Sequence, residues 1–149
     1  MDDAPILICY DGSAGAERGI EAAATLLHDR RAVVLNVEPP LTTAESYAML
    51  GPTPPDFEEL NLASAHEYAR AGTDAARRTG LTAEPYAELA APAWEGVVDV
   101  ADEIGAAAIV IGSRGLKGAS ELLRGSLSHE LAEHAGRPVL IVPPPRSHR

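Results

Sequence analysis

Short apolar runs alternate with longer amphipathic stretches along the whole chain. Each run is four to eight residues long and apolar or β-branched, as buried strands are, and proline or glycine bounds several of them. The third run contains Pro85, and because proline cannot donate to a sheet ladder we expect that strand at an edge. The predicted strands cover residues 6–10, 33–37, 82–89, 106–111 and 139–142.

Helices are expected between these strands, where apolar residues recur at i, i+4 and i+7. Ser13 is suited to cap the first helix, and Asp56 with Glu59 has capping-box spacing at the start of the second. The predicted helices cover residues 13–28, 56–80, 97–104 and 127–136. A short extra helix is expected at 41–50, inside a proline-rich segment, 38–55, that we expect to border a ligand pocket.

Strands that alternate with helices of this length indicate βαβ units and a parallel sheet. Ligands of such folds bind at the carboxyl ends of the strands, at the point where strand order reverses. The residues that follow each strand are therefore the first candidates for a functional site.

Composition narrows the class of protein. The 149 residues are expected to form one domain, 1–149, and the net charge of −10 argues against a nucleic-acid partner. Cys9 is the single cysteine, which excludes an internal disulfide and a multi-cysteine zinc site, and in an apolar strand it is expected to act as a core residue. No apolar run reaches a membrane span, so we expect a soluble protein of the reducing cytoplasm, without a membrane partner.

The strongest chemical signal is the glycine-rich loop after the fourth strand. Two residues lie between Gly112 and Gly115. Nine more lie between Gly115 and Gly125, which directly precedes Ser126. Glycines let backbone N–H groups approach an anion, and a helix that begins at Leu127 would add its positive end. Arg114 and Lys117 offer positive charge, and Ser126 and Ser128 offer hydroxyl donors. The alternative is that these glycines only form a tight loop, but no P-loop or G-x-G-x-x-G motif offers another phosphate site.

The pattern G-x2-G-x9-G-[ST] on a fourth strand–loop–helix unit resembles the ATP-binding branch of the universal stress protein family. Asp11-Gly12-Ser13, Leu35-Asn36-Val37 and the closing segment 125–142 are similar to that family as well. The resemblance implies a Rossmann-like α/β domain with an open five-stranded parallel sheet, strand order 3-2-1-4-5, and helices on both faces.

The resemblance also implies an adenine-nucleotide site for ATP, ADP or AMP. Val37 would meet the adenine with its backbone, and Asp11 would bind the ribose or a Mg²⁺ ion. Tyr10 is bulkier than the usual residue, so we expect it to stack on the base or narrow the pocket. The candidate site residues, with Arg114 and Ser128 added from the loop itself, are Cys9, Tyr10, Asp11, Val37, Ile111, Gly112, Arg114, Gly115, Gly125, Ser126, Leu127 and Ser128.

The function this favours is that of a nucleotide-regulated homodimer in a stress response, paired through the edge strand Val139–Val142. No general base is placed to activate water, so at most slow ATP hydrolysis is expected. The alternative is a nucleotide-free dimeric interaction module of the same fold, which Tyr10 would favour by filling the pocket. The related ATP pyrophosphatases carry S-G-G-x-D-S where this chain has Asp11-Gly12-Ser13, so that class is disfavoured.

One further motif is incomplete. The helix 129–134 lacks the second histidine of H-E-x-x-H, because Glu133 occupies that position. His129 and His134 are five residues apart and do not share a helix face. We therefore expect i, i+4 contacts, His129 with Glu133 and Glu130 with His134, rather than a metal site.

Overall fold

The computed structural model describes residues 3–40, 57–113 and 121–147. These residues form an α/β domain in which every neighbouring pair of strands is parallel. The strand order is β3-β2-β1-β4-β5, as the family resemblance implies, and β3 with its Pro85 lies at an edge, as the sequence predicts. In chain order the elements are β1 (Ile6–Cys9), α1 (Ala14–Leu26), β2 (Ala32–Glu38), α2 (Phe57–Arg78), β3 (Ala83–Leu89), α3 (Ala93–Ile104), β4 (Ala108–Gly112), α4 (Glu121–His134) and β5 (Val139–Val142).

Two hydrophobic cores lie on opposite faces of the sheet, because successive strand residues point to opposite sides. On β1, Ile6 and Ile8 pack against α1 and α2, whereas Leu7 packs against α3 and α4. The central strands are buried on both faces, which explains why their sequences are apolar throughout rather than alternating.

Most element boundaries lie within two residues of the predicted ones. Ser13 caps α1 as expected, since its side chain accepts a hydrogen bond of 3.1 Å from the Ala16 N–H. β4 begins at Ala108 and not at residue 106, because the Ala106 N–H bonds to the Ala101 carbonyl and closes the end of α3. The predicted helix at 41–50, and most of the proline-rich segment, lie outside the described residues.

The start of α4 was predicted wrongly. The helix begins at Glu121, six residues before Leu127, so Gly125 and Ser126 lie inside it rather than ahead of it. The reason is local, because Glu, Leu and Arg at 121–124 are strong helix formers that outweigh the single glycine at 125. The free N–H groups at the start of α4 therefore belong to residues nearer 121 than 127.

No helix in ranges 3–40, 57–113 and 121–147 is both long and apolar enough to cross a membrane.

Candidate functional site

A cleft opens at the carboxyl ends of β1, β2 and β4, where the strand order reverses on either side of β1. The cleft holds about 450 Å³ of empty space when the part that is open to bulk solvent is included. Its walls come from the strand ends and from α1, α3 and α4. The lining residues are Cys9, Tyr10, Asp11, Ala16, Leu35, Asn36, Val37, Ala93, Val97, Ile111, Gly112 and Leu127.

Seven of these lining residues were predicted: Cys9, Tyr10, Asp11, Val37, Ile111, Gly112 and Leu127. The others could not be assigned to the site from the resemblance, and only Asn36 carried a signal of its own. It is a polar residue among the apolar residues 32–37 of β2, and it is 2% exposed.

Val37 presents unpaired backbone groups to this cleft. The backbone hydrogen bonds between β1 and β2 begin with the one from the Ile6 N–H to the Arg31 carbonyl. They end with the one from the Tyr10 N–H to the Leu35 carbonyl. In this alternation, odd-numbered residues of β2 direct both N–H and C=O towards β1. β1 ends at Cys9, so the Val37 pair faces the space beyond it, and no described residue bonds to either group.

Asp11 follows β1 and stands beside the first turn of α1. Its Oδ1 accepts a hydrogen bond of 3.0 Å from the Ser13 N–H, while its Oδ2 is buried and has no hydrogen-bond partner in the described structure. Gly12, at φ +84°, makes the turn that allows this arrangement. One carboxylate oxygen of this cleft-lining residue is thus left without a partner in the described structure.

Cys9 lies at the floor of the cleft as a protonated thiol. Burial, and secondarily the Asp11 carboxylate, raise the pKa of Cys9 from 9.0 to about 12. A thiolate is the reactive form of cysteine, so this environment makes Cys9 a packing residue rather than a redox centre.

The expectation that the Tyr10 side chain stacks on a base or narrows the pocket is wrong. The ring lies on the opposite face of the sheet, in the core formed with α1 and α2, against Gly72. Its hydroxyl donates a hydrogen bond of 2.7 Å to Glu17. Because Tyr10 follows Cys9 along the strand direction, its side chain points to the other face and the residue borders the cleft through its backbone.

Gly112 ends β4 against the first turn of α1. A Cβ at this position would lie 2.5 Å from the carbonyl carbon of Gly15 and 3.0 Å from its Cα. The lack of a side chain at Gly112 therefore lets the strand end and the helix start approach each other, and this approach forms part of the cleft wall.

The remaining predicted residues divide into two groups. Arg114 and Gly115 lie outside the described residues. Gly125, Ser126 and Ser128 belong to α4, where only the half-buried Ser128 has a described side chain and it does not line the cleft.

The histidine contacts of α4 are those expected. His129 Nε2 lies 3.5 Å from Glu133, and His134 Nε2 lies 3.2 Å from Glu130. Glu130, Glu133 and His134 bring their ligand atoms within 4.8 Å of one another, but the group is largely exposed and its members already pair among themselves.

Comparison with known proteins agrees with this fold. Residues 4–143 match the model of the universal stress protein family. Over 144 residues the chain is 31% identical to universal stress protein YxiE of Bacillus subtilis (strain 168), covering 92% of this chain and 97% of that protein. The chain belongs to the universal stress protein family.

Two solved structures from Archaeoglobus fulgidus are similar in fold and sequence. A universal stress protein is 25% identical with a TM-score of 0.69, covering 93% of this chain and 98% of the other. A structure of the universal stress protein in complex with dAMP is also 25% identical, with a TM-score of 0.66 and coverage of 95% and 99%.

Proposed function

We propose that this protein binds an adenine nucleotide, ATP included, in the cleft at the carboxyl ends of β1, β2 and β4. The observation that carries the proposal is that two residues lining the same cleft have unpaired polar groups, the N–H and C=O of Val37 and the Oδ2 of Asp11. Buried polar groups are normally paired, so a cleft that leaves several of them open is suited to a ligand that supplies their partners.

Adenine fits the Val37 groups by its chemistry. Its Watson–Crick edge places an acceptor, N1, next to a donor, the N6 amino group, which complements one backbone N–H and one C=O. Guanine presents the reverse order of donor and acceptor on the same edge. The apolar side chains of Leu35, Val97 and Ile111 provide surfaces for a flat ring.

The ribose and phosphates would extend from the adenine towards Asp11 and the end of β4. A relative supports the choice of an adenine nucleotide, because the Archaeoglobus fulgidus protein forms a complex with dAMP. The family resemblance assigns the phosphates to Gly115, Gly125, Ser126 and Leu127, with Mg²⁺ near Asp11. The inclusion of Gly125 and Ser126 within α4 makes the number of phosphates the point to test, by comparing AMP with ATP.

Alkylation of Cys9 tests the proposal, because Cys9 is the single cysteine and lines the cleft. With a pKa near 12 the native thiol is mostly protonated at pH 9, so we expect slow modification by iodoacetamide. Saturating ATP with Mg²⁺ should slow it further, about tenfold, since a ligand in the cleft removes access to the sulfur. Intact-mass spectrometry at timed intervals measures the rate.

The controls of that experiment distinguish a nucleotide that occupies the cleft from one that stabilises the protein in a general way. GTP at the same concentration should give no protection, because guanine mismatches the Val37 pair. Cys9→Ser should gain no mass at all, which confirms the site of modification. Equal rates with and without millimolar ATP and AMP would rule out nucleotide binding in this cleft.

We also propose that the protein forms a homodimer through β5. This strand lies at the open edge of the sheet, and Ile141 is 38% exposed on it. The even-numbered residues of β5 direct their backbone N–H and C=O groups towards β4. The Val142 carbonyl, for example, accepts a hydrogen bond from the Ser113 N–H at the end of β4. The N–H and C=O groups of Val139 and Ile141 therefore point outward, and an exposed edge of this kind is suited to pairing with a second copy.

Replacing Ile141 by proline should dissociate such a dimer. The proline removes an outward N–H but no bond of the β4–β5 ladder, and edge positions tolerate it. We expect sedimentation to show a monomer for Ile141→Pro and a dimer for wild type. Ile141→Val, which keeps the N–H, is the control, and a wild-type monomer at micromolar concentration would contradict the proposal.

A further inference from the structure

Asn36 takes a hydrogen-bond position that the backbone would otherwise fill. After the rung from the Tyr10 N–H to the Leu35 carbonyl, the next rung of a parallel ladder runs from the Val37 N–H to the Tyr10 carbonyl. In this protein the Tyr10 carbonyl accepts instead from Asn36 Nδ2, at 2.8 Å. The orientation of the amide is fixed by chemistry, because a carbonyl oxygen can only accept.

We propose that Asn36 is a positioning residue that keeps the Val37 N–H open for the adenine ring by holding the Tyr10 carbonyl with its own side chain. This inference rests on the proposed function, since it explains how the same cleft recognises the base. Without the Asn36 amide, the ladder between β1 and β2 would continue by one rung and close the donor that adenine N1 needs.

A second observation supports a role towards the ligand. Asn36 is one of the residues that line the cleft, and its buried Oδ1 has no hydrogen-bond partner among the described residues. An apolar side chain would fill a 2%-exposed position without leaving an acceptor unpaired. The unpaired Oδ1 is therefore a cost to the empty protein, as is typical of residues retained for a site.

The first test needs no nucleotide. In the wild-type protein we expect the Val37 amide to exchange with solvent at least tenfold faster than the Leu35 amide, which lies within the β1–β2 ladder. In Asn36→Ala the Val37 amide should slow towards the rate of Leu35, because its N–H can then bond to Tyr10. Hydrogen exchange followed by NMR measures both.

Thr73→Val is the matched control. Thr73 is also 2% exposed, and its hydroxyl donates a hydrogen bond of 2.7 Å to the Ala69 carbonyl within α2. Its replacement removes one buried hydrogen bond without touching the strand ends. We expect the ratio of Val37 to Leu35 exchange to stay as in wild type. An equal change in both variants would overturn the proposal, as would a wild-type Val37 amide that is as protected as Leu35.

The second test uses AMP and its 1-deaza analogue, in which a C–H replaces the adenine N1 acceptor. Wild type should bind the analogue roughly tenfold more weakly than AMP, the cost of about one hydrogen bond. Asn36→Ala should bind both compounds within twofold of each other, because its Val37 N–H is no longer available. Calorimetric titration of both proteins with both compounds gives the coupling free energy between the Asn36 side chain and the adenine N1 atom directly.

The outcomes separate this inference from the proposed function. If wild type binds neither AMP nor its analogue, and ATP does not protect Cys9 either, the proposed function fails, and the exchange experiment still decides the role of Asn36 at the strand end. If the analogue binds more weakly than AMP by the same factor in wild type and in Asn36→Ala, nucleotide binding stands and the positioning role of Asn36 is wrong.

Discussion

Replacing Gly112 by alanine is expected to lower the free energy of unfolding by about 3 kcal/mol, the upper end for overpacking a well-packed interior. The new Cβ would lie 2.5 Å from the Gly15 carbonyl carbon, and backbone atoms cannot rotate away as a side chain can. The start of α1 or the end of β4 has to move, and either movement opens the wall of the cleft. Urea unfolding followed by circular dichroism measures the change.

Gly19→Ala is the matched control for this effect. Gly19 faces the same α1–β4 contact, but a Cβ there would meet its nearest neighbours, Val110 Cγ1 and the Gly112 nitrogen, at 3.7 and 3.8 Å. These are ordinary van der Waals contacts, and alanine is favoured over glycine inside a helix by about 1 kcal/mol. We therefore expect Gly19→Ala to match or exceed wild-type stability. Equal losses in the two variants would contradict the close approach described for Gly112.

Replacing Asp11 by asparagine should change affinity and stability in opposite directions. Affinity for ATP is expected to fall between about tenfold and a hundredfold, because a hydrogen bond or ion contact to a charged oxygen is lost. The unliganded protein should become more stable by about 1 kcal/mol, since a neutral amide costs less to bury without a partner than the charged Oδ2 of the carboxylate does. Titration calorimetry and urea unfolding provide the two measurements.

The same variant distinguishes the two roles proposed for Asp11. A loss with adenosine alone indicates a contact to the ribose, whereas a loss seen only with Mg²⁺ and ATP indicates a metal contact. Asp99→Asn, an exposed position on α3, makes the same change of charge and should leave affinity as in wild type. Unchanged affinity in Asp11→Asn would remove Asp11 from the site.

Asp11→Asn should also report through Cys9. The Asp11 carboxylate contributes to the raised pKa of the thiol, so its removal should lower that pKa and speed alkylation at pH 9 in the empty protein. We expect this fall in the pKa of Cys9, and the faster alkylation, whether Asp11 contacts the ribose or a Mg²⁺ ion.

The architecture and half of the cleft follow from the sequence for clear physical reasons. Strands buried on both faces must be apolar, so the runs that became β1, β2 and β4 stand out against amphipathic helices. Parallel strands bring their carboxyl ends to one edge, which is why Cys9, Asp11, Val37 and Gly112 lie around one space.

What the sequence could not supply depends on contacts between distant elements. The face to which Tyr10 points is set by the exact end of β1, and its partner, Gly72, is on α2. The early start of α4 reflects the strong helix propensity of the residues at 121–124. The spacing of the glycines alone gave a start at Leu127, because it takes no account of that propensity. The hydrogen bond from Asn36 to Tyr10 joins residues 26 positions apart, so no local pattern predicts it.

The central claim is that this cleft is where an adenine nucleotide binds. The most direct measurement is a titration of ¹⁵N-labelled wild-type protein with ATP and Mg²⁺, followed by backbone amide resonances. We predict saturable changes below millimolar ATP that are largest at Val37 and at the residues that end β1 and β4. Resonances that stay in place at millimolar ATP, or that shift only far from these strand ends, would contradict the claim.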